Sequence, residues 1–374
     1  MGPKSNDSLR ILVVRPDRLG DVMLSTPVFE SVKRHYSNSH LTILVKNNVL
    51  PILKGLISID HAITFDPDGI HAGIRGFFRL FKEIRQGKFQ IAVVLQSHRK
   101  IAAALFLARI KIRVGPLSKL HSFLFYNRGI RQRRSKVEMH EADYNLQLLQ
   151  SLGIHTQSKE ILTRVDIPQT TLEASRRWLL ERGWRPKEAL VLIHPGMGGS
   201  ALNWPEEHYQ ELVYRLAQEG KQVLVTGGPT EGELLDRMES SLGEFKSRVL
   251  FYRGSPQAGI DYWGGLCFYS QLVIAPSTGP LHVAVALKKP VVTFYPPIRV
   301  QSPRRWGPYV EDPCQASVWV PQVECGQDFE CLGKKCKDFP CMKTLSVGQT
   351  LNEIGKQLNS NQKSTSEKTS GESS

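Results

Sequence analysis

One carboxylate, Asp21, lies at a strand-to-helix junction where it could act as a general base. It follows Arg15, Arg18 and Gly20 in the sequence RPDRLGD, between an apolar strand and the first helix. Gly20 would allow a sharp turn, and Asp21 would then lie in the first helical turn, where the helix dipole favours a carboxylate. Asp21 could be only a helix cap, or it could accept the proton of a substrate hydroxyl. We expect it to be catalytic, with Arg15 and Arg18 binding an anionic acceptor.

A second junction, at 276–282, has the composition of an anion site. Ser277, Thr278 and Gly279 are small residues between a strand and an apolar helix, so N–H groups at the helix start would stay open. His282 follows one turn later and could donate a hydrogen bond to a phosphate or a ribose. A plain turn with a helix cap would have the same sequence, but we expect these four residues to bind the diphosphate of a donor.

The same junction chemistry recurs twice in the second half of the chain. The sequence HPGMGGS places Gly196 after one strand, and TGGPTE places Gly228 and Glu231 after the next. A single glycine turn is weak evidence, whereas three at strand ends of one domain indicate a site for a nucleoside diphosphate. We therefore expect Gly196, Gly228 and Glu231 to bind the donor as well.

The positive charge of the chain is concentrated in its first half. Residues 1–165 carry 26 Lys and Arg against 12 Asp and Glu, whereas the remainder carries 23 of each. The stretch 85–136 contains thirteen of these cations and no acid. A solvated face would mix both signs, so this stretch is expected to bind something negative.

Two parts of the basic stretch 85–136 suggest what it binds. Arg99 and Lys100 follow a strand, and we expect them to contact an anionic acceptor. The segment LHSFLFY at 120–126 is apolar and aromatic, which suits the headgroup region of an inner-membrane surface. The same mixture suits RNA, and a core helix beside a solvated loop is the plainest interpretation. We expect the membrane contact and no nucleic-acid partner.

Five of the six cysteines lie between 314 and 341. Cys325, Cys331, Cys336 and Cys341 have five, four and four residues between them, so the CxxC pairs common in zinc sites are missing. A cytoplasmic location would keep the thiols reduced. We expect reduced cysteines in a C-terminal wrap and no metal, with a structural metal or redox cluster as the alternative.

Strand and helix patterns alternate along the chain in two series. The predicted strands are 11–16, 41–46, 61–65, 89–96 and 110–115, then 189–196, 222–228, 248–254, 272–279 and 290–296. The predicted helices are 21–35, 70–86, 99–109, 205–219, 230–240 and 280–288. This order predicts an α/β protein with two Rossmann-like parallel-sheet domains facing a cleft.

We place one domain at 1–165 and a second domain, which carries the three glycine-containing junctions, at 166–356. The tail 357–374 is polar and low in complexity, and it is expected to be disordered. Since there is no long apolar run and no signal-peptide pattern, we expect a cytoplasmic protein, peripheral on the inner membrane. Neither the GxGxxG of dehydrogenases nor the GxxxxGK(S/T) of P-loop kinases occurs.

Taken in order, three stretches resemble glycosyltransferase family 9, the bacterial ADP-heptose:lipopolysaccharide heptosyltransferases. They begin ILVVRPDRLGDVML, LIHPGMGGSALNW and APSTGPLHVAVAL, and the resemblance covers most of 9–345. It implies a GT-B fold with an acceptor-binding domain at 1–165 and a nucleotide-sugar-binding domain at 166–356. It also implies inverting transfer without a metal or other cofactor, from ADP-heptose or another nucleotide sugar to a lipopolysaccharide core or a similar anionic glycolipid. In this resemblance Asp21 matches the proposed base, and Thr278, Gly279 and His282 match the stretch that holds the donor diphosphate.

Two departures from the family pattern concern the donor. Ser277 stands where many members carry Asp, and Leu202 and Asn203 stand where many carry a cation before the tryptophan. Diphosphate contacts could then shift to Arg299, Arg304 or Arg305.

Two other functions are compatible with the sequence. A sugar-nucleotide epimerase would share the twin domains but needs several carboxylates around the sugar, and only Asp21, Glu231 and Glu233 are placed to supply them. A non-catalytic protein that binds membranes or RNA would show salt-sensitive binding and no affinity for nucleotides.

Overall fold

The computed structural model of the chain describes residues 8–199, 201–254 and 258–370, with side chains up to 359. The chain divides into two compact units, Met1–Asp166 (unit 1) and Ile167–Ser374 (unit 2). Each contains a six-stranded sheet in which every described strand pair is parallel. Parallel neighbours require crossover connections, which the alternating helices supply.

Unit 1 has a sheet with the strand order of a Rossmann fold, β3-β2-β1-β4-β5-β6. Its strands are β1 Arg10–Val14, β2 His40–Val45, β3 His61–Thr64, β4 Ile91–Val94, β5 Ile112–Pro116 and β6 Arg128–Ile130. Its helices are α1 Leu19–Met23, α2 Thr26–His35, α3 Leu50–Leu53, α4 Gly73–Gln86, α5 Arg99–Leu107, α6 Leu120–Phe125 and α7 Glu141–Gln147. The central strands β1 and β4 are buried on both faces, which explains their continuous apolar sequences.

The sequence predicted one helix over 21–35, whereas the structure has two. Helix α1 ends at Met23, and α2 begins at Thr26 with Pro27 in its first turn. Proline has no N–H, and its ring collides with the carbonyl four residues earlier, so one continuous helix could not pass through this position. The break leaves Asp21 on a separate five-residue helix directly after β1.

Unit 2 repeats the topology of unit 1. Its strands are β7 Leu190–Ile193, β8 Gln222–Thr226, β9 Val249–Tyr252, β10 Leu272–Pro276, β11 Val291–Phe294 and β12 Ala316–Trp319. Its helices are α8 Gln169–Glu181, α9 Glu206–Gln218, α10 Gly232–Ser240, α11 Ile260–Phe268, α12 Gly279–Ala286, α13 Pro303–Trp306 and α14 Val347–Ser370. The order β9-β8-β7-β10-β11-β12 corresponds strand for strand to that of unit 1.

The last helix belongs to the core of unit 2. Ile354 and Leu358 of α14 are buried in the same apolar cluster as Leu212 and Val292. The tail expected from 357 begins within α14, which the structure describes as far as Ser370, and 371–374 lie outside the described residues. The disorder of the tail stays a prediction. A helix is costly to nucleate and cheap to extend, so its packed first half supports the polar turns that follow.

In each sheet the strand order reverses between two central neighbours, β1 and β4 in unit 1 and β7 and β10 in unit 2. At such a reversal the connections leave in opposite directions and open a crevice at the carboxyl ends of the strands, where ligands bind in α/β sheets. Among the residues that the structure describes, no helix is long and apolar enough to cross a bilayer.

Candidate active site

Asp21 lies at the carboxyl end of β1, beside the reversal point of the first sheet. Its carboxylate Oδ1 accepts a hydrogen bond from Arg15 Nη2 at 2.6 Å, and its side chain is 20% exposed. Ser25 Oγ donates to the Asp21 backbone carbonyl at 2.7 Å, which closes the short turn between α1 and α2. The carboxylate is thus fixed on one side and open to solvent on the other.

Arg15 was predicted to bind an acceptor, and this prediction is wrong. The Arg15 side chain is only 2% exposed, and all three of its nitrogens have partners within unit 1. Nη2 contacts both Asp21 and Glu141, Nη1 donates to Asn145 at 3.1 Å, and Nε lies 2.9 Å from Asp17. A guanidinium surrounded in this way cannot reach a ligand and instead positions the Asp21 carboxylate.

The electrostatics of Arg15 fit that positioning role. Burial alone would lower its pKa, but the negative charges of Asp21, Glu141 and Asp17 raise it above its ordinary value. Arg134 from the loop before α7 also contacts Glu141, at 2.5 Å. Two cations and three carboxylates therefore form one network at the end of β1, and Asp21 is one of the acids with access to solvent.

Asp17 is a second partly exposed acid in this network, and the sequence did not single it out. Burial raises its pKa to about 6, against the opposing effect of Arg15, and the charges of Asp21 and Glu141 act in the same direction as burial. Its Oδ2 meets Arg15 Nε as an ion pair without hydrogen-bond geometry. The sequence signal for Asp17 was its position two residues after Arg15, on the same strand-to-helix turn.

The other predicted acceptor residues remain accessible. Arg18 is the N-cap residue of α1 and is exposed, while Arg99 and the half-buried Lys100 form the first turn of α5, directly after β4. Cations in the first turn of a helix oppose the helix dipole, so they do not serve helix stability. These side chains are available to an anion at the edge where β1 and β4 end.

More cations gather at this edge than the sequence analysis identified. Burial lowers the pKa of His98, and the positive charges of Lys100, Lys119, His121 and Lys46 lower it further. Burial likewise lowers the pKa of His121, helped by Lys119 and Arg99. The signal was present, since Lys46 directly follows β2 and Lys119 follows β5. We call Lys46, Arg99, Lys100 and Lys119 the cation edge.

The predicted phosphate turn of unit 2 has an open helix start. Thr278 is the extended N-cap residue of α12, but its side chain makes no capping hydrogen bond. Ser277, Thr278 and Gly279 are half-buried, whereas His282 is buried within the helix. The N–H groups in the first turn are those that bind anions at helix starts.

The two glycine loops of unit 2 meet at Glu231. The Gly228 N–H donates to Glu231 Oε2 at 2.7 Å, and a Cβ built on Gly196 would lie 2.0 Å from Glu231 Oε1. Only a residue without a side chain fits at 196 while the carboxylate occupies this position. Glu231 thus joins the ends of β7 and β8, beside the reversal point of the second sheet.

His194 and Asn203 support the first glycine loop, and sequence reasoning did not assign either role. His194 Nδ1 lies 3.0 Å from Thr226 Oγ1, which also accepts a hydrogen bond from Trp263 Nε1. Burial lowers the pKa of His194, partly offset by Glu231, so the ring is neutral near pH 7. Asn203 Nδ2 donates to the Pro195 carbonyl at 2.7 Å and so holds the loop directly.

Comparison with known proteins identifies the family. A family model described as glycosyltransferase family 9 (heptosyltransferase) matches residues 77–336. A Haemophilus influenzae protein described as a glycosyltransferase is 31% identical over 304 residues, covering 80% of this chain and 86% of its own. The chain belongs to glycosyltransferase family 9.

Two further family members are similar along most of their length. Lipopolysaccharide heptosyltransferase 3 of Escherichia coli is 23% identical over 278 residues, which cover 74% of this chain and 80% of the relative. The structure of E. coli ADP-heptose lipopolysaccharide heptosyltransferase II superposes with a TM-score of 0.76 at 18% identity, covering 95% of this chain and 100% of that one. The chain is thus a glycosyltransferase of heptosyltransferase type, and the predicted α/β fold of GT-B class is confirmed.

Proposed function

We propose that this glycosyltransferase is an inverting, metal-independent enzyme that transfers a heptose, or a related sugar, from ADP-heptose to a lipopolysaccharide core or a similar anionic glycolipid. Membership of family 9 and the named activities of its relatives support this reaction class. The observation that carries the proposal is the Asp21 carboxylate, held at 2.6 Å by a buried arginine and open to solvent at the end of β1.

The proposed chemistry is a single displacement. Asp21 accepts the proton of an acceptor hydroxyl while that oxygen attacks the anomeric carbon of the donor sugar. The departing oxygen of the nucleoside diphosphate acquires negative charge, which the N–H groups at the start of α12 stabilise. No metal is assigned to this step, because the open start of α12 can supply the positive charge.

The donor would be bound by unit 2. Ser277, Thr278, Gly279 and His282 are proposed to contact the diphosphate, as predicted from the sequence. Glu231, fixed between Gly196 and Gly228, is proposed to accept hydrogen bonds from the ribose hydroxyls. A carboxylate at the end of a neighbouring strand has this role in many nucleotide-binding sheets.

The acceptor would be bound by unit 1. Arg18 and the cation edge are exposed or half-exposed cations that suit the phosphates and carboxylates of a lipopolysaccharide core. Helix α6 adds three exposed apolar side chains next to these cations, Leu120, Phe123 and Leu124. Cations beside exposed apolar residues are typical of interfacial binding, so we place the enzyme in the cytoplasm, peripheral on the inner membrane.

Asp21→Asn tests the proposal. The amide keeps the size of the side chain but cannot take up a proton, so transfer should fall by about 10²–10⁴-fold. Donor affinity should remain unchanged, because Asp21 belongs to unit 1. The measurements are sugar transfer from ADP-heptose to a truncated lipopolysaccharide acceptor, and titration calorimetry of ADP binding.

Glu30→Gln is the matched control. Glu30 lies on α2 and pairs only with the exposed Arg34, at 3.2 Å, among the contacts described. This variant should transfer at the wild-type rate, and transfer by the wild type should need no added metal ion. Wild-type transfer by Asp21→Asn would remove the base from the mechanism, and turnover of the nucleotide sugar without acceptor would favour an epimerase.

A further inference from the structure

Four cysteines that are separated in sequence line one small cavity in unit 2. The cavity has a volume of about 10 Å³, and all four cysteines are among the residues that line it, together with mainly apolar residues such as Ile298 and Leu332. The four cysteines are Cys325, Cys331, Cys336 and Cys341, and none of them forms a disulfide. The two other cysteines, Cys267 and Cys314, do not line this cavity. The volume is close to that of a single water position, so the space suits one ion.

The backbone around Cys331 has a feature of thiolate–metal turns. The N–H of Gly333 donates to Cys331 Sγ at 3.2 Å, and Gly333 has a φ of +57°, which turns its N–H back toward the sulfur. Hydrogen bonds from the backbone to sulfur stabilise the negative charge of coordinating thiolates.

The charge balance of the cavity suits a divalent cation. Four coordinating thiolates carry one negative charge each, which is two more than such an ion neutralises. Lys334 and Lys335, in the turn after Gly333, would partly neutralise the excess negative charge of four thiolates.

We infer that Cys325, Cys331, Cys336 and Cys341 bind one transition-metal ion that prefers thiolate ligands, of the zinc or ferrous iron class. Four sulfurs are the complete ligand set of a tetrahedral structural site. Among the residues described, no group of three potential ligands is already arranged around a metal position. Between Pro321 and Pro340 the segment has one short 3-10 turn, Gly333–Lys335, and Cys341 begins a second one, so closing the sulfurs around an ion requires no change of a strand or an α-helix.

The ion would act as a clamp on the loop that follows β11. The segment carrying the cysteines is hydrogen-bonded to this loop, from Arg299 N to Gln327 O at 3.2 Å and from Val300 N to Asp328 O at 3.0 Å. The Arg299 side chain pairs with Asp328 at 2.5 Å. The inferred site therefore fixes the loop that leads to Arg304 and Arg305, and it takes no part in the proposed transfer step.

The test is metal content and cobalt spectroscopy on the full chain. Protein produced separately with added zinc and with added iron should contain about one ion per chain, as expected for a tetrathiolate site. Apoprotein titrated with Co²⁺ should develop the sulfur-to-cobalt charge-transfer and visible bands of a tetrahedral thiolate centre, saturating at about one equivalent. The two preparations show which metal class the site retains.

Substitutions assign the ion to these sulfurs. Cys331→Ser and Cys336→Ser should lose the bound ion and the cobalt bands, whereas Cys314→Ser, an exposed cysteine outside the cavity, should keep both. Circular dichroism confirms that the variants are folded; should they unfold, alkylation of the wild type gives the answer, since the metal should protect four of the six thiols until a chelator is added. Wild-type protein without stoichiometric metal, or metal that survives both cavity substitutions, would overturn the inference.

Discussion

At the scale of single residues, the end of β1 shows why carboxylates in one network can behave differently. Asp21 and Glu141 share Nη2 of Arg15, whereas Asp17 meets only Nε and lacks hydrogen-bond geometry. The desolvation of the Asp17 carboxylate therefore outweighs its attraction to Arg15, and its pKa rises to about 6. The functional consequence is that Asp21 keeps the well-oriented contact and Asp17 retains a proton under mildly acidic conditions.

This difference predicts a pH dependence of stability. The folded pKa of Asp17 lies above its ordinary value of 3.8, so the native state binds the proton more tightly than the unfolded chain does. Below about pH 4, Asp17 should add about 1–3 kcal/mol to the free energy of unfolding. This contribution should be lost as the pH rises to about 6. Asp17→Asn should remove this decline in urea unfolding between pH 4 and pH 7.

The exposed Asp68 provides the control for this experiment. Asp68→Asn should keep the wild-type pH profile, since this carboxylate has no comparable burial. An unchanged decline in Asp17→Asn would show that another group causes it.

At the scale of elements, the sequence predicted ten of the described strands and missed β6 and β12. Nine of the ten strands found contain buried residues, and only the edge strand β3 does not. Arg128–Ile130 and Ala316–Trp319 are likewise short edge strands in which every residue is at least partly exposed. Such strands are defined by pairing with a neighbour rather than by their own composition. Helices α8 and α11 were also missed, because they are stabilised largely by packing against each other.

The site residues that come directly after a strand could be predicted from the sequence. Asp21, Arg99, Gly196 and Ser277 were all placed correctly after β1, β4, β7 and β10. The burial of Arg15 was not predictable, because its partners Glu141 and Asn145 are more than 120 positions away in sequence. The convergence of the cysteines was missed for a similar reason, since spacing alone does not show how an irregular segment folds back.

The contact between the two glycine loops can be tested with a matched pair of alanine substitutions. Gly196→Ala should push the Glu231 carboxylate away and break its hydrogen bond to Gly228, at a cost of about 1 kcal/mol, or about 2–4 °C in melting temperature. Because Glu231 is proposed to bind the ribose, ADP affinity should fall as well. Gly198→Ala, with open space around its Cβ, should melt like the wild type; equal losses in both variants would contradict this account.

At the scale of the whole molecule, charge and exposed apolar surface coincide in unit 1. All of the net charge of +14 arises from residues 1–165. Leu120, Phe123 and Leu124 of α6 are 84%, 59% and 70% exposed, beside the cations that follow β4 and β5. An exposed apolar helix next to cations is costly for a protein that stays in water, and it supports the proposed membrane contact.

Vesicle sedimentation measures this contact. The wild type should bind vesicles of phosphatidylglycerol more tightly than vesicles of phosphatidylcholine, and added salt should weaken binding. The double variant Leu120→Ser/Leu124→Ser should bind about 10–100-fold more weakly, given the apolar area withdrawn from the interface. Phe329→Ser, at an equally exposed aromatic residue of unit 2, should bind like the wild type; equal loss there, or none in the α6 variant, would refute the assignment.

The burial of α14 has a consequence for how the molecule is made. The sheet of unit 1 and its covering helices are complete once residue 166 has been synthesised, and this unit can fold on the ribosome. Unit 2 needs α14 as well, because Ile354 and Leu358 complete a cluster whose first strand, β7, was translated some 160 residues earlier. Until those side chains emerge from the exit tunnel, the apolar surface that α14 covers stays unsealed, and we expect chaperone binding to the nascent chain to be greatest in this interval.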